Sequence, residues 1–222
     1  MKNAIVIFDV DGVLLQLTQP EEELFFTALA EFVPTQALSR DWNSYRIRND
    51  DDIISEILER NGRSQALKSA VVANYIRRLE RALSTGALTS HCIAGAERLL
   101  RNLAPVASLG IATANLREAA RLRLLSHNLW SLVETHAVGA DGGGHKHEIL
   151  ARLLKTIDLP KSRIIYIGDN LTDVIAGRKN GVQFIGFSTN KLRREQLAEH
   201  GVTRLSADHA TTLDFIRQIL GV

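Results

Sequence analysis

Two aspartates separated by one residue, Asp9 and Asp11, follow an unbroken apolar stretch near the start of the chain. Residues i and i+2 of an extended chain point the same way, so the two carboxylates can converge on one spot. Close carboxylates repel each other, and a cation held between them relieves that repulsion. Because hard oxygen ligands suit Mg²⁺, the pair indicates a magnesium site at the end of this stretch.

The stretch before the pair, residues 4–8, is apolar without alternation. Such a run is typical of a strand that is buried on both faces in a parallel sheet covered by helices. In open α/β sheets, ligands bind just past the carboxyl ends of the strands. However, Asp-Gly between apolar runs is also the strongest short-range signal of a β-hairpin. The segment by itself leaves both interpretations open, and residues further along the chain favour the parallel sheet.

Two later strands are also predicted to end in polar groups. These groups are Thr113 and Asn115 after the first strand, and Asp169 and Asp173 after the second. Lys146 follows a glycine loop at the start of a predicted helix. Each residue alone has an ordinary alternative: the threonine and the aspartates can cap helices, and the lysine can be solvated. Their joint occurrence at strand ends and helix starts indicates one site.

Together these residues predict phosphoryl transfer. Asp9 is expected to attack phosphorus and form an aspartyl-phosphate. Asp11 is expected to give a proton to the leaving oxygen and then to take one from water. Asp169, with Asp9, is expected to hold Mg²⁺ against the phosphate. The Thr113 hydroxyl and the Lys146 ammonium are expected to neutralise the equatorial oxygens, since preorganised charge is usually the largest catalytic term.

The elements that must position these residues alternate between strands and helices from residue 95 onward. Repeated strand–helix units predict an α/β fold, a doubly wound, Rossmann-like parallel sheet with right-handed crossovers. Residues 16–89 carry helical patterns and no convincing strand, which predicts an all-helical cap inserted in the core. The predicted domains are therefore a catalytic core, residues 1–15 and 90–222, and a helical cap, residues 16–89.

Two details of the predicted helices bear on the site. Asn49 is predicted to be the N-cap of a helix that begins at Asp50. The helix predicted over residues 116–125 is amphipathic. Its arginines, which are expected on the outer face, are Arg117, Arg121 and Arg123.

Composition narrows the classes of partner. The 222 residues carry a formal net charge of +2, which does not suggest nucleic-acid binding by charge alone. The single cysteine, Cys92, excludes an internal disulfide and indicates a reducing compartment. No stretch approaches the roughly 20 apolar residues of a membrane helix, and no charged-then-apolar leader precedes the first strand. We expect a cytoplasmic protein whose partner is a small phosphate ester, without a membrane or nucleic-acid partner; its oligomeric state is not predicted.

The polar residues resemble the four motifs of the haloacid dehalogenase-like hydrolase superfamily. The first motif corresponds to residues 9–12, the second to Thr113, the third to Lys146 and the fourth to residues 168–173. The resemblance covers essentially the whole chain, including a helical cap between the first and second motifs. It points to the branch of phosphoglycolate phosphatases and β-phosphoglucomutases.

The resemblance implies a role for each residue. Asp9 would be the nucleophile and Asp11 the acid and base. The metal site implied by it comprises Asp9, the backbone carbonyl of Asp11 and Asp169, with Asp173 supporting the metal shell. The phosphate ligands implied by it are Thr113, Asn115 and Lys146.

Several features separate this chain from neighbouring branches. Dehalogenases lack the second acid, so Asp11 argues against that activity. Phosphonatase-like enzymes use a cap lysine, and the cap here holds only Lys68. Phosphomutases carry a basic residue at the start of the second cap helix, where this chain has Asp50. A proline commonly follows the third-motif lysine, whereas here His145 and His147 flank it; a metal site on these two histidines is the weaker interpretation, because adjacent residues point apart.

The favoured function is a Mg²⁺-dependent phosphatase that acts on a small phosphorylated metabolite. The alternatives are a phosphomutase of the β-phosphoglucomutase type and a non-catalytic phosphate-binding regulator on the same fold. Arg46 and Arg48 precede the Asn49 cap in an irregular stretch, and we expect them to contact the distal part of the substrate through bidentate hydrogen bonds. Alternatively, both arginines are solvated or neutralise the acidic residues 50–52.

Overall fold

The computed structural model of the protein describes residues 2–221. The strands are β1 (Ile5–Phe8), β2 (Leu15–Gln16), β3 (His91–Cys92), β4 (Ser108–Ala112), β5 (Ala137–Val138), β6 (Ile164–Gly168), β7 (Gln183–Phe187) and β8 (Leu205–Ser206). The helices are α1 (Gln19–Leu29), α2 (Asp50–Arg60), α3 (Lys68–Ser84), α4 (Ala96–Leu103), α5 (Arg117–Leu125), α6 (Trp130–Val133), α7 (Lys146–Leu154), α8 (Leu171–Asn180), α9 (Lys191–Glu199) and α10 (His209–Leu220). Short 3₁₀ turns lie at Thr35–Ala37, Trp42–Ser44, Gln65–Leu67, Glu134–His136 and Lys161–Arg163.

β1 lies inside a six-stranded parallel sheet with the order β5-β4-β1-β6-β7-β8. It pairs in parallel with β4 on one side and with β6 on the other, so that Phe8 lies opposite Ile111 and Ile167. Helices connect the successive strands of this sheet, as in a doubly wound α/β fold. The predicted fold class is confirmed. The hairpin interpretation of Asp11 and Gly12 is wrong, because β1 pairs only in parallel within residues 2–221.

Helices cover both faces of β1, which explains its unbroken apolar sequence. Alternate residues of a strand point to opposite faces. Val6 and Phe8 belong to the hydrophobic cluster that α4 and α10 complete on one face. Ile5 and Ile7 belong to the cluster that α7 completes on the other. The strand is fully buried, and its end is therefore a rigid platform for the residues that follow it.

The helices α1, α2 and α3 lie between β2 and β3, which pair with each other in an antiparallel two-stranded sheet. Gln16 lies opposite His91 in this sheet, so the chain leaves the core and returns to it at one place. Gln16 is thus in a short strand, although the stretch from this residue onward was expected to lack one. The three helices share a hydrophobic cluster that also contains side chains of α5. These side chains are Ala119 and Leu122, with Leu116 just before the helix.

Arg123 of α5 corrects one expectation. It is buried, whereas the amphipathic pattern placed it outside together with Arg117 and Arg121. The helix has two buried sides, because the inserted helices pack on the face that would otherwise meet solvent. Arg123 lies on that covered face, where its charge pairs with Glu21 of α1.

The starts of two inserted helices have local causes. Helix α3 begins at Lys68, because residues 65–67 before it form a 3₁₀ turn. Asn49 is the N-cap of α2, as predicted, and its side chain accepts a hydrogen bond from the Asp52 amide. Of the helices within residues 2–221, none combines the length and apolar character that crossing a membrane requires.

Candidate active site

Asp9 stands directly after β1 and is almost completely buried. Its amide donates a hydrogen bond to the Ile167 carbonyl, so the ladder between β1 and β6 continues to this residue. Its Oδ1 atom accepts a hydrogen bond from the Val10 amide at 2.8 Å and lies 2.7 Å from the Lys146 ammonium. Both contacts fall on one oxygen, which leaves Oδ2 as the oxygen that is offered to a ligand.

Lys146 begins α7, and only 6 % of its side chain is exposed. Its ammonium contacts Asp9 at 2.7 Å and Asp173 Oδ1 at 3.2 Å. Burial lowers the pKa of Lys146, but the two carboxylates more than offset this, and the net shift is upward. The lysine therefore stays charged and lies between two buried acids.

Asp173 is fully enclosed by the protein. Its Oδ1 atom accepts a hydrogen bond from the Tyr166 hydroxyl at 2.6 Å, and its Oδ2 atom accepts from the Asp169 and Asn170 amides at 3.2 and 3.3 Å. These contacts tie it to the loop after β6. A side chain at Gly168 would collide with it, since a Cβ there would lie 2.3 Å from the Asp173 Cβ. Asp173 thus shapes the loop that carries Asp169.

Asp169 faces Asp9 and Asp173, and one carboxylate oxygen from each of the three lies within 4.8 Å of the others. Burial, followed by the charge of Asp173, raises the pKa of Asp169 to about 6. Burial also raises the pKa of Asp9, opposed by Lys146 and reinforced by the other two carboxylates. Three close carboxylates, of which Asp9 and Asp169 have raised pKa values, form a donor set that fits a divalent cation with hard oxygen preference, such as Mg²⁺.

The loop after β4 carries Thr113 and Asn115. Thr113 is buried, and its hydroxyl accepts a hydrogen bond from the Asn115 amide at 3.2 Å. The Asn115 side chain donates to Asp11 Oδ2 at 2.9 Å and accepts from Arg123 at 3.1 Å. Its amide group therefore contacts the second aspartate rather than being free for phosphate.

Arg123 is the site residue that sequence reasoning missed. Its guanidinium lies 2.7 Å from Asp11 Oδ1 and donates to Glu21 Oε1 at 2.8 Å. A signal for its burial exists in the sequence, since positions 116, 119, 120, 123 and 124 form an i, i+3, i+4, i+7, i+8 stripe that is otherwise apolar. An arginine in such a stripe needs a buried partner.

A cavity of about 590 Å³ opens between the carboxyl end of the sheet and the inserted helices. The core side is lined by Asp9, Asp11, Thr113, Asn115, Lys146 and Asp169. The side of the inserted helices is lined by Glu21, Phe25, Trp42, Arg48, Asp50 and Tyr75. The structure thus brings three of the predicted acids, the threonine and the lysine to one cavity, and it adds an aromatic and acidic wall opposite them. The fourth predicted acid, Asp173, is fully buried and does not line the cavity.

The two arginines predicted to contact the distal part of the substrate lie in different places. Arg48 lines the cavity, and its guanidinium donates to Asn43 Oδ1 at 2.9 Å. Arg46 is not among the cavity-lining residues; it is 65 % exposed and pairs with Glu59 and Glu56 of α2. Burial alternates along residues 45–49, with Tyr45 and Asn49 buried and both arginines exposed. Both arginines also line a smaller pocket of about 180 Å³, which shares Lys146 and Thr172 with the larger cavity.

The N-terminus of α2 docks on both loops that carry the phosphate-binding candidates. The Asp50 amide donates to the Ala114 carbonyl at 3.0 Å, and its carboxylate accepts from the Leu116 amide at 2.8 Å. The Asn49 side chain donates to the Gly144 carbonyl at 2.8 Å, and Asp52 accepts from the Gly144 amide at 2.7 Å. The inserted helices are therefore closed onto the core in this structure.

Docking buries the Asp50 carboxylate, and its pKa is raised to about 7, chiefly by burial. A raised pKa means that the folded state holds a proton which the unfolded state has lost, so stability falls as pH rises from about 4 to 7. We expect Asp50→Asn to keep the bond from Leu116 and to remove this dependence. The difference in unfolding free energy, Asp50→Asn minus the natural chain, should rise by about 2 to 3 kcal/mol between pH 5 and pH 8, because only the natural chain loses stability over this range.

Urea unfolding at the two pH values measures this difference. Asp158→Asn, at an exposed aspartate, is the matched control and should show no such growth. A constant difference between Asp50→Asn and the natural chain across the range would contradict the prediction.

The flanking histidines of Lys146 lie apart from the acidic cluster. The His145 and His147 rings stack with centroids 5.6 Å apart, and His147 Nε2 lies 3.4 Å from the Lys179 ammonium. Among residues 2–221, the group of side chains that meets metal-ligand geometry is the three aspartates, and neither histidine belongs to it.

Comparisons with known proteins identify one family whose model matches most of the chain. Residues 6–187 match the model of the haloacid dehalogenase-like hydrolase family. Among curated proteins, no sequence matches the chain.

Solved structures with the same fold include three that cover nearly the whole chain. A hydrolase from Pseudomonas syringae is 21 % identical, with a TM-score of 0.69 over 97 % of this chain and 99 % of that one. CbbY from Rhodobacter sphaeroides, solved in complex with phosphate, is 18 % identical, with a TM-score of 0.69 over 95 % and 96 %. A predicted phosphatase from Clostridium acetobutylicum is 19 % identical, with a TM-score of 0.68 over the full length of both chains. At these identities the likeness shows a shared fold.

Proposed function

The chain belongs to the haloacid dehalogenase-like hydrolase family, and from that premise we propose that it is a Mg²⁺-dependent phosphatase of small phosphate monoesters. The observation that carries the proposal is the environment of Asp9. Its carboxylate is buried at the cavity floor, with Oδ1 held by Val10 and Lys146 and with Asp169 beside it. This arrangement suits an oriented nucleophile. The two similar structures described as a phosphatase and as a phosphate complex support a phosphate ester as the substrate.

The proposed reaction begins with attack of Asp9 Oδ2 on phosphorus, which yields an aspartyl-phosphate as the ester oxygen leaves. Asp11 gives its proton to that oxygen and then takes one from the water that cleaves the intermediate. The Lys146 ammonium and the Thr113 hydroxyl stabilise the negative charge on the phosphoryl oxygens. Asp9, the Asp11 carbonyl and Asp169 would hold Mg²⁺, which supplies positive charge that draws the phosphate dianion to the carboxylate.

The cavity walls favour a hydrolase over the related activities. A phosphomutase must bind a second phosphate on the inserted helices, and at the start of α2 the cavity is lined by the acid Asp50 instead of a basic residue. Lys68, the lysine that a phosphonatase-like mechanism would require, pairs with Asp51 and is not among the cavity-lining residues. Asp11 would have no use in a dehalogenase, since a halide leaves without a proton.

A cytoplasmic location stays a prediction from the single cysteine.

Release of inorganic phosphate from a panel of phosphorylated metabolites and from an aryl phosphate tests the proposal. We expect turnover with Mg²⁺, none in excess chelator, and inhibition by Ca²⁺. Ca²⁺ is larger and takes more ligands, often from bidentate carboxylates, so it would occupy the attacking oxygen of Asp9. Equal rates with both ions, or full activity in chelator, would contradict the proposed mechanism.

We further propose that Arg48 contacts the part of the substrate distal to the phosphate, and Arg46 provides a matched control. The two lie two residues apart, but only Arg48 lines the cavity. We expect Arg48→Ala to lower kcat/KM for the best metabolite by about 10-fold, the scale of one charge-assisted hydrogen bond, with less than about 2-fold loss on a small aryl phosphate.

Arg46→Ala should leave both values within about 2-fold of the natural protein, since the Arg46 side chain is largely exposed and its closest ion pair, with Glu59, lies at the surface. Steady-state kinetics of both variants on both substrates provides the comparison. Equal losses on the two substrates for Arg48→Ala would remove this arginine from the specificity of the enzyme.

A further inference from the structure

Arg123 of α5 is a buried arginine that contacts the second aspartate of the site. Only 3 % of its side chain is exposed. Its three nitrogens reach three side chains: one nitrogen lies 2.7 Å from Asp11 Oδ1, Nε donates to Glu21 at 2.8 Å, and the third donates to Asn115 at 3.1 Å. We propose that Arg123 is a positioning residue that holds Asp11 in the orientation needed to protonate the leaving group. The inference rests on the proposed phosphatase function.

The contacts around Asp11 form a closed ring. Arg123 holds Oδ1, the Asn115 amide donates to Oδ2 at 2.9 Å, and Asn115 is itself held by Arg123. The Asp11 side chain is 23 % exposed, much more than the 5 % of Asp9, and it borders the cavity. A side chain with this much free space has several rotamers, so the ring is what limits it to one.

The inserted helices fix the other side of the guanidinium. Glu21 of α1 contacts Arg123 through Oε1, while its Oε2 accepts hydrogen bonds from the Thr18 amide at 2.8 Å and hydroxyl at 2.9 Å. Glu21 is therefore held by the N-cap of its own helix, and it presents one oxygen to Arg123. The orientation of Asp11 is thereby linked to the docked position of α1.

The leaving group of the substrate distinguishes a positioning role of Arg123 from a purely structural one. As the bond between phosphorus and Asp9 forms, the ester bond breaks and the proton on Asp11 passes to the leaving oxygen. An alkoxide leaving group needs that proton, whereas a nitrophenolate leaves as a stable anion without it. Misplacing Asp11 therefore slows hydrolysis of alkyl phosphates more than hydrolysis of nitrophenyl phosphate.

The experiment compares kcat/KM for an alkyl phosphate and for p-nitrophenyl phosphate in the natural protein and in Arg123→Gln. We expect a loss of about 10- to 100-fold on the alkyl ester, part of what general acid catalysis supplies, and less than about 3-fold on the aryl ester. Arg123→Lys should restore part of the alkyl activity. Arg121→Gln, on the same helix and paired with Glu118, is the control and should leave both values unchanged.

A double-mutant cycle tests whether Arg123 acts through Asp11. In an Asp11→Asn background, Arg123→Gln should cost less than about 3-fold on either ester, because the group it positions is gone. Equal losses on the two esters, or a full further loss in the Asp11→Asn background, would show that Arg123 is only structural and would overturn the inference.

Arg123→Gln leaves Glu21 buried without its cation and can fail to fold. In that case Glu21→Gln/Arg123→Gln removes both charges, and the same comparison of esters applies to it. If the natural protein hydrolyses neither ester nor any metabolite of the panel, the proposed function fails and this inference with it. If the natural protein is active but Arg123→Gln lowers kcat/KM equally for the two esters, the proposed function stands and only the positioning role of Arg123 fails.

Discussion

Replacing Asp9 with asparagine should lower turnover by about four orders of magnitude or more, the scale on which deletion of a covalent nucleophile acts. Asparagine keeps an oxygen that can accept the bond from the Val10 amide, but it does not attack phosphorus. Its neutral amide also removes the charge that repels the neighbouring acids Asp169 and Asp173. Because Lys146 keeps Asp173 as a buried partner at 3.2 Å, the variant should fold as well as the natural protein and keep its cavity.

Phosphate release under saturating Mg²⁺ and thermal unfolding provide the two measurements. An unchanged or raised Tm together with lost turnover is the expected combination. Activity close to that of the natural protein in a folded, metal-loaded Asp9→Asn sample would exclude the aspartyl-phosphate mechanism.

Replacing Lys146 with methionine should also have a large effect, of about 10²- to 10³-fold in kcat, because it removes a preorganised cation from the reacting phosphate. The same change leaves Asp9 and Asp173 buried without their shared partner. Breaking such a buried pair typically costs about 3 to 5 kcal/mol of stability.

A divalent cation would replace part of the missing charge, so Mg²⁺ should raise the Tm of Lys146→Met more than that of the natural protein. Thermal unfolding with and without Mg²⁺ measures this. Lys155→Met, at an exposed lysine at the end of the same helix, is the control and should show neither the activity loss nor the extra shift. If Mg²⁺ raises both Tm values equally, Lys146 does not share its carboxylates with the cation.

The site residues that could be predicted from sequence are those that directly follow a buried strand. A buried strand in a parallel sheet has a distinct apolar pattern, and the residues just after it must face the ligand edge. Asp9, Thr113 and Asp169 follow β1, β4 and β6, and the pairing of these three strands brings the residues to one cavity. Their placement depends on local pattern and on the general topology of α/β sheets.

The parts that could not be predicted depend on contacts between distant segments. Arg123 lies on a helix whose outer face is covered by the inserted helices, and its charge there pairs with Glu21 of α1. Arg46 and Arg48 differ because Glu56 and Glu59 of α2 attract one of them away from the cavity. These partners cannot be recognised from the local sequence, since Glu56 and Glu59 lie ten or more residues from Arg46, and Glu21 lies still further from Arg123.

The position of β1 in the sheet has a consequence for how the chain is made. β1 is synthesised well before its neighbours in the sheet, β4 and β6, which begin only at Ser108 and Ile164. Pairing across such long separations is slow, because the entropy of closing a long loop opposes it.

The inserted helices cannot complete their hydrophobic cluster until α5 has been made, since Ala119 and Leu122 of α5 belong to that cluster. During synthesis the apolar β1 therefore remains unpaired until β4, about halfway along the chain, has been made, and it gains its second neighbour only with β6. Exposed strands of this kind are where aggregation begins, so we expect yields of the folded protein to depend on the rate of its expression and on chaperones.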